Sequence, residues 1–195
     1  MRSLVVIGVI AGMILLLLMG GCNSYNNFVN MEEDVENAWS KVQSAYQQRA
    51  DLVPNLVATV KGAADFERGT LEAVTSARAK ATSIQIDPAN LTPERMAEFQ
   101  AAQNQLGQSI GRLLMSVESY PTLQASASFR ELQAQLEGIE NRIRVERNRY
   151  NDQTTSYNKA IRRFPASLYA SMFGFSQKAQ FEAQEGSQNA PKVAF

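Results

Sequence analysis

The sequence predicts an all-α protein: an elongated antiparallel up-down-up-down four-helix bundle with an N-terminal signal or anchor segment and an irregular C-terminal tail. Apolar residues recur every three or four positions over long stretches, which places them along one face of a helix. The 195 residues include only 11 glycines and six prolines, and these stand mainly where periodic stretches begin or end. No stretch alternates apolar and polar residues in the way that a half-buried strand does.

The N-terminal segment, residues 1–21, predicts export and attachment to the cell membrane. It carries one charge, at Arg2, and the run 4–19 is almost entirely apolar, as in a secretory signal peptide. The run is shorter than the roughly 20 residues that a membrane-spanning helix needs. We therefore predict a signal peptide, and we keep a single N-terminal span as the alternative.

Cys22, the only cysteine, is the predicted lipidation site. The sequence Gly20-Gly21-Cys22 resembles the lipobox of bacterial lipoproteins, in which small residues precede an acylated cysteine. Acyl chains such as palmitate would make Cys22 the anchor, and residues 22–27 would form a lipidated linker. Asn23 follows the cysteine, and the resemblance to lipoprotein sorting patterns implies that the lack of Asp at this position favours the outer membrane in a cell that has one. The alternative is an idle thiol.

The first bundle helix is predicted to run from Phe28 to Gly62. Its apolar positions keep near-heptad spacing from Phe28 past Val35 to Leu56, which is typical of a left-handed seam between helices. Pro54 lies inside this stretch, but the spacing continues beyond it. The sequence therefore predicts one kinked helix rather than two.

Three more helices complete the predicted bundle, which covers residues 28–164. The second covers about 65–84 and has small residues on its inward face. The third has the clearest start, with Thr92 as N-cap and Pro93 in the first helical position, and Pro121 stops it. The fourth covers about 126–164. Their short connections favour antiparallel neighbours.

Composition excludes several function classes. The chain has 19 basic and 19 acidic residues, so it lacks the basic excess of a nucleic-acid-binding protein. It has no histidine, which excludes Ser-His-Asp and Cys-His catalysis and the commonest zinc sites. We therefore predict no catalytic site, no cofactor, no metal and no nucleic-acid partner.

Arg49 occupies a core position of the first helix, where an unpaired guanidinium would be costly. If Phe28 lies level with Phe164 in an antiparallel pair, Arg49 lies level with Ile143, about one turn from Glu146 and Glu140. We predict a buried ion pair between Arg49 and a carboxylate, Glu146 first, that fixes the helix register. The alternative is an Arg49 that reaches out to water.

The C-terminal tail, residues 165–195, contains an apolar cluster without helical spacing. We predict that this cluster folds back over the first and fourth helices. The alternatives are contact with lipid and a docking surface for a partner. The residues of the predicted interaction surface are Leu168, Tyr169, Met172, Phe173, Phe175 and Phe181.

Several different short motifs are spread along the chain from Tyr25 onward. They are residues 25–29, 38–39, 49–62, 67–78, 120–121, 136–143, 147–151, 157–158, 163–165 and 173–175. Together they closely resemble the LemA family. That resemblance implies a long helical bundle on the bacterial envelope, with a poorly defined biochemical role and no catalytic residues. Family members more often resemble signal-anchored proteins, and the lipobox-like Cys22 departs from that pattern.

These observations favour a non-enzymatic adaptor that is held on the lipid membrane by its N-terminus and offers helix faces to a protein of the cell envelope. The family resemblance implies a membrane protease as one such partner. One alternative is a purely structural lipoprotein stalk that stabilises the envelope, which predicts no exposed apolar patch once the tail is docked. The remote alternative is an enzyme that works with carboxylates.

Overall fold

The structure, a computed structural model, describes residues 2–62 and 67–182. All regular structure within these residues is helical, as the sequence predicts. A 3₁₀ turn, Pro88–Asn90, lies between the second and third helices. The α-helices of the described residues are six, namely α1 (Arg2–Lys61), α2 (Arg68–Ser83), α3 (Pro93–Val117), α4 (Pro121–Gln124), α5 (Ala127–Arg162) and α6 (Ala166–Phe173).

Helix α1 is continuous over 60 residues, and it passes through Pro54 as predicted. It begins well before Phe28, so residues 22–27, expected to form a linker, are helical. A proline cannot donate to the carbonyl four residues earlier, which here belongs to Ala50. Arg78 of α2 supplies the missing donor, with its Nε 2.7 Å from the Ala50 oxygen. The proline therefore leaves the Ala50 carbonyl free to accept a hydrogen bond that links α2 to α1.

The predicted helix starts are confirmed for α3 and α5. Thr92 caps α3 by accepting a hydrogen bond from the Arg95 amide, and Pro93 is the first helical residue. Ser126 caps α5 through the Phe129 amide. Helix α3 ends before Pro121, which opens the single turn α4. Residues 65 and 66, predicted at the start of the second helix, lie outside the described residues.

The prediction of an irregular tail is wrong for its first part, because residues 166–173 form α6. Gly174 ends this helix with φ of +81°, a left-handed conformation that glycine adopts without steric cost. The Phe175 amide then bonds back to the Ala170 carbonyl. An eight-residue helix is too short to show the heptad spacing on which the prediction relied. Residues 183–195 lie outside the described residues.

The core consists of two clusters along α1. In the first, α1 packs against α5, α6 and the segment beyond Gly174. In the second, the far half of α1 packs against α2, α3 and the start of α5. Helices α3 and α5 lie on either side of an open groove. Arg49 lies where the two clusters meet.

Candidate functional site

Arg49 is the centre of a buried polar hub. Its side chain is only 5% exposed, and its Nη1 donates to the Glu140 carboxylate at 2.9 Å. Its Nη2 donates to the backbone oxygen and to the side-chain oxygen of Gln103, both at 2.8 Å. Gln103 in turn donates to the Ala81 carbonyl. One guanidinium therefore links α1 to α3 and α5 directly, and to α2 through Gln103.

The predicted partner of Arg49 is corrected from Glu146 to Glu140. The observed pairing lies three residues along α5 from Ile143, the level assumed in the prediction. Glu146 is six residues beyond Glu140, so it points about 240° around the helix from it. Its Oε2 is buried and has no hydrogen-bond partner. Arg49 therefore lies at nearly the predicted level along α5, but on a different face of that helix from the one predicted.

The surroundings of Arg49 combine a buried cation with a half-exposed carboxylate. Glu140 is 51% exposed, so water screens it, whereas the guanidinium depends on protein acceptors. The Tyr46 ring adds a cation–π contact, with its centroid 5.0 Å from the Arg49 Cζ. Burial raises the pKa of Tyr46, against the opposing charges of Arg147 and Arg49. These contacts describe a structural hub that holds helices in register.

The segment 175–182, the docked segment, runs antiparallel to α5 and is bound through its backbone. Asn158 donates to the Lys178 carbonyl at 2.9 Å and accepts from the Lys178 amide at 3.0 Å. Asn151 makes the same pair of bonds with Phe181, at 3.1 and 2.9 Å. Each asparagine therefore satisfies both backbone groups of one residue, as a neighbouring β-strand would.

Phe181 and Lys178 are the side-chain anchors of the docked segment. Phe181 is 5% exposed and stacks on Trp39, with ring centroids 5.9 Å apart, while Tyr150 meets its edge. Lys178 is buried as well, and its ammonium lies 2.7 Å from the Glu32 carboxylate. An aromatic box and an acidic pocket thus fix the position of this segment along α5.

The structure divides the six residues of the predicted tail surface into two groups. Phe181 and Phe175 lie inward, and Phe175 meets the ring of Phe28. Tyr169 lies against Gly20 and Gly21 of α1. The remaining three are exposed, namely Leu168 at 62%, Met172 at 66% and Phe173 at 42%. The tail is therefore docked in part, and it still presents apolar side chains to the outside.

The burial of Lys178 and the bonds from Asn151 and Asn158 to the docked segment were not predicted from the sequence. A lysine in a polar, non-periodic stretch carries no signal of burial. Asn151 and Asn158 stand seven residues apart, two helical turns, so they share one face of α5. That spacing was the available signal, but it does not reveal which backbone lies opposite.

The substitution Asn151→Asp is expected to lower the free energy of unfolding by about 1–2 kcal/mol, because the Phe181 carbonyl loses its donor and faces a carboxylate. Asn148→Asp, at an exposed position of the same helix, is the matched control for the added charge. Urea unfolding of both variants measures the difference. Equal losses in the two variants would mean that the amide of Asn151 does not hold the segment.

Stability is expected to fall above pH 10, because buried tyrosines keep their protons in the folded state. Burial raises the pKa of Tyr150 from 10.0 to about 12, and burial and the Glu32 charge raise that of Tyr157. Between pH 10 and the raised pKa values, these tyrosines lose their protons in the unfolded chain but keep them in the folded chain. Each pH unit in this range therefore lowers the free energy of unfolding by up to about 1.4 kcal/mol for each tyrosine.

Urea midpoints across this alkaline range test the tyrosine prediction. Tyr150→Phe should make the decline less steep, whereas Tyr25→Phe, at an exposed tyrosine, is the control. An unchanged slope in Tyr150→Phe would contradict the prediction.

Cys22, the predicted lipidation site, lies on α1 with its side chain exposed. None of the helices in the described stretches combines the length and the apolarity that a membrane crossing requires. Within residues 2–62 and 67–182, no group of three or more Cys, Asp or Glu side chains could hold a metal ion.

Comparison with known proteins connects this geometry to a family. The model of the LemA family matches residues 38–195. Magnetosome protein MamQ 2 of Paramagnetospirillum magneticum is 26% identical over 175 residues, and the match covers 81% of this chain and 64% of the relative. MamQ of Magnetospirillum gryphiswaldense is 26% identical, with 80% and 64% covered.

Protein LemA of Metamycoplasma hominis is also 26% identical, over 82% of this chain and 69% of the relative. The chain thus spans a little under two thirds of the length of the MamQ proteins. The matched residues include Arg49, Gln103 and Glu140 of the buried polar hub and the whole docked segment. The chain belongs to the LemA family.

Proposed function

We propose that this chain is a membrane-tethered, non-enzymatic adaptor of the cell envelope, built as an antiparallel four-helix bundle from α1, α2, α3 and α5. The observation that carries the proposal is the open groove between α3 and α5, about 1150 Å³ in volume. A purely structural stalk has no need of a groove that runs between two of its helices. The groove is a concave surface on which a partner's helix or extended segment can lie.

The lining of the groove suits another polypeptide. Gly111 exposes the backbone of α3 within it, since a side chain there would meet nothing within 4 Å, whereas the space beside Gly107 is taken by Nη1 of Arg49, 3.4 Å from a Cβ built on that glycine. Another backbone can therefore approach α3 closely. Leu114 supplies apolar contact, and the buried Leu136 lies beneath it in the lining. Arg49 lies in the wall, where its Nη1 and Nη2 already bind protein acceptors and its buried Nε has no hydrogen-bond partner. The partner we propose is an envelope protein, a membrane protease being the class that the family resemblance suggests.

The proposed tether is lipid on Cys22, with the bundle outside the membrane to which it is attached. The exposure of the Cys22 side chain and the small residues before it support this assignment. The outer membrane is the proposed location in a cell that has one, and a single N-terminal span is the alternative tether. The MamQ relatives are magnetosome proteins by name, which supports a role on a cellular structure.

Metabolic labelling with a radioactive fatty acid tests the tether. The wild-type chain should take up label, and Cys22→Ala should take up none while accumulating to a similar level. Label that persists in Cys22→Ala would rule out this cysteine as the attachment site.

Photo-crosslinking in intact cells tests the groove. A photoreactive amino acid in place of Gln108, an exposed residue of the groove, should give a defined adduct with one envelope protein. The matched control replaces Gln135, an exposed glutamine of α5 that does not line the groove. The same adducts from both positions, or none from Gln108, would favour the stalk over the adaptor.

A further inference from the structure

We propose that the exposed apolar face of α6 lies in the lipid surface and holds the Cys22 end of the helical structure against the membrane. The face consists of Leu168 and Met172 of α6, and Phe164, just before the helix, is exposed as well. The inference rests on the proposed membrane tether, and it adds a second lipid contact that is separate from Cys22. The partner of this face is the lipid surface itself.

The first step is the position of α6 next to the tether. A Cβ built on Gly21 would lie 3.2 Å from the Tyr169 ring, so α6 packs at the level of the residue before Cys22. This position does not depend on residues 1–21, because Tyr25 also holds the helix. The Tyr25 ring lies 5.1 Å from that of Phe173. Whether or not a signal peptide is removed, α6 stays within one turn of Cys22.

The second step is the exposure of this face. Leu168 is 62% exposed, Met172 is 66% exposed, and Phe164 is 82% exposed. Leu168 and Met172 are four residues apart, so they lie on the same side of the helix, while Tyr169 and Ala170 face α1 and α5. Large apolar side chains grouped in this way cost free energy in water, at about 25 cal/mol per Å².

The third step is the charge around the face, which distinguishes a lipid surface from a protein partner. Arg162 and Arg163 are exposed at the corner that leads into α6. Residues 153–181 contain no Asp or Glu. Apolar side chains flanked by cations, with half-exposed aromatic rings such as Tyr25 beside them, are the composition of an element that lies at an anionic membrane interface.

Fluorescence quenching by lipid tests the proposal. The full-length chain, with Met172→Trp, is reconstituted into vesicles of phosphatidylcholine and phosphatidylglycerol, with or without brominated acyl chains. Trp39, the only native tryptophan, is buried, so the wild-type chain supplies the background. The emission added at position 172 should be blue-shifted and should lose about half its intensity in brominated vesicles, as a side chain in the interface would. Leu168→Trp is the second reporter on the same face.

The matched control is Met115→Trp. Met115 is an exposed methionine of α3, at 61%, and it lies near Val117, which packs with Val60 at the far end of α1 from Cys22. Its added emission should be unquenched. Equal emission from positions 172 and 115 in brominated vesicles would place α6 in water and overturn the inference.

Vesicle flotation separates the two proposals. A wild-type chain that fails to float with the vesicles contradicts the membrane tether. A chain that floats, but whose reporters at positions 168 and 172 are unquenched, retains the tether and contradicts only the lipid contact of α6.

Discussion

Replacing Arg49 with methionine is expected to lower the free energy of unfolding by about 3 kcal/mol or more. Methionine fills much of the space but donates no hydrogen bond. The buried side-chain oxygen of Gln103 loses its donor, whereas the Gln103 carbonyl, in the middle of α3, loses only the second of its two donors and keeps the amide of its own helix. Each buried acceptor left without a partner costs about 1–3 kcal/mol. Chemical unfolding, followed by circular dichroism, measures the change.

Glu140→Gln is the matched control for the Arg49 variant. The two residues form one ion pair, but Glu140 is half exposed and water can take the place of its partner. Its loss should therefore cost no more than about 1 kcal/mol. Glu146→Gln discriminates between the predicted and the observed partner. A larger loss for Glu146→Gln than for Glu140→Gln would restore Glu146 as the partner of Arg49.

The long helices of this fold could be predicted because each buries an apolar stripe. The heptad spacing of α5 and the cap Thr92 of α3 set the starts of these two helices to within a few residues, since a cap must satisfy the free amides of a first turn. The spacing on α1 placed its end but not its start, because the helix begins well before Phe28. The continuity of α1 through Pro54 followed from the same spacing. The partner that relieves the proline, Arg78, lies on another helix, and no local pattern points to it.

The contacts of the candidate site were harder to predict than the helices. They depend on the direction in which each side chain points around its helix, and on hydrogen bonds to the backbone. Burial of Arg49 followed from its heptad position, but the choice between Glu140 and Glu146 depended on which face of α5 turns toward Arg49 on α1. The docked segment is extended and binds through main-chain groups. A segment bound in this way needs no periodic apolar residues. Only Phe181 and Lys178 are side-chain anchors, and because they stand in a polar stretch their burial cannot be recognised in the sequence.

Phe181→Ala is expected to lower the free energy of unfolding by about 3 kcal/mol, as removal of a buried phenylalanine ring does. The loss has a specific optical signature in this chain. Trp39 is the only tryptophan, is fully buried and stacks on Phe181. Opening the aromatic box lets water approach the indole, so its emission should shift to the red in the native state. Fluorescence spectra before and during urea unfolding measure both effects.

The control for Phe181→Ala is Phe164→Ala, because Phe164 is 82% exposed and the loss of its ring should change the stability of the detergent-solubilised chain by less than about 0.5 kcal/mol.

A chain that ends at Gly174 lacks the whole docked segment, so it can be compared with Phe181→Ala, which lacks only the anchor. If the asparagine bonds depend on Phe181 to hold the backbone in place, the truncated chain and Phe181→Ala should show the same red shift of Trp39. A truncated chain with native emission would mean that Tyr150 of α5, Phe99 of α3 and the backbone at Ile86 shield Trp39 without the docked segment. The docked segment would then be a bound peptide that can leave without opening the core.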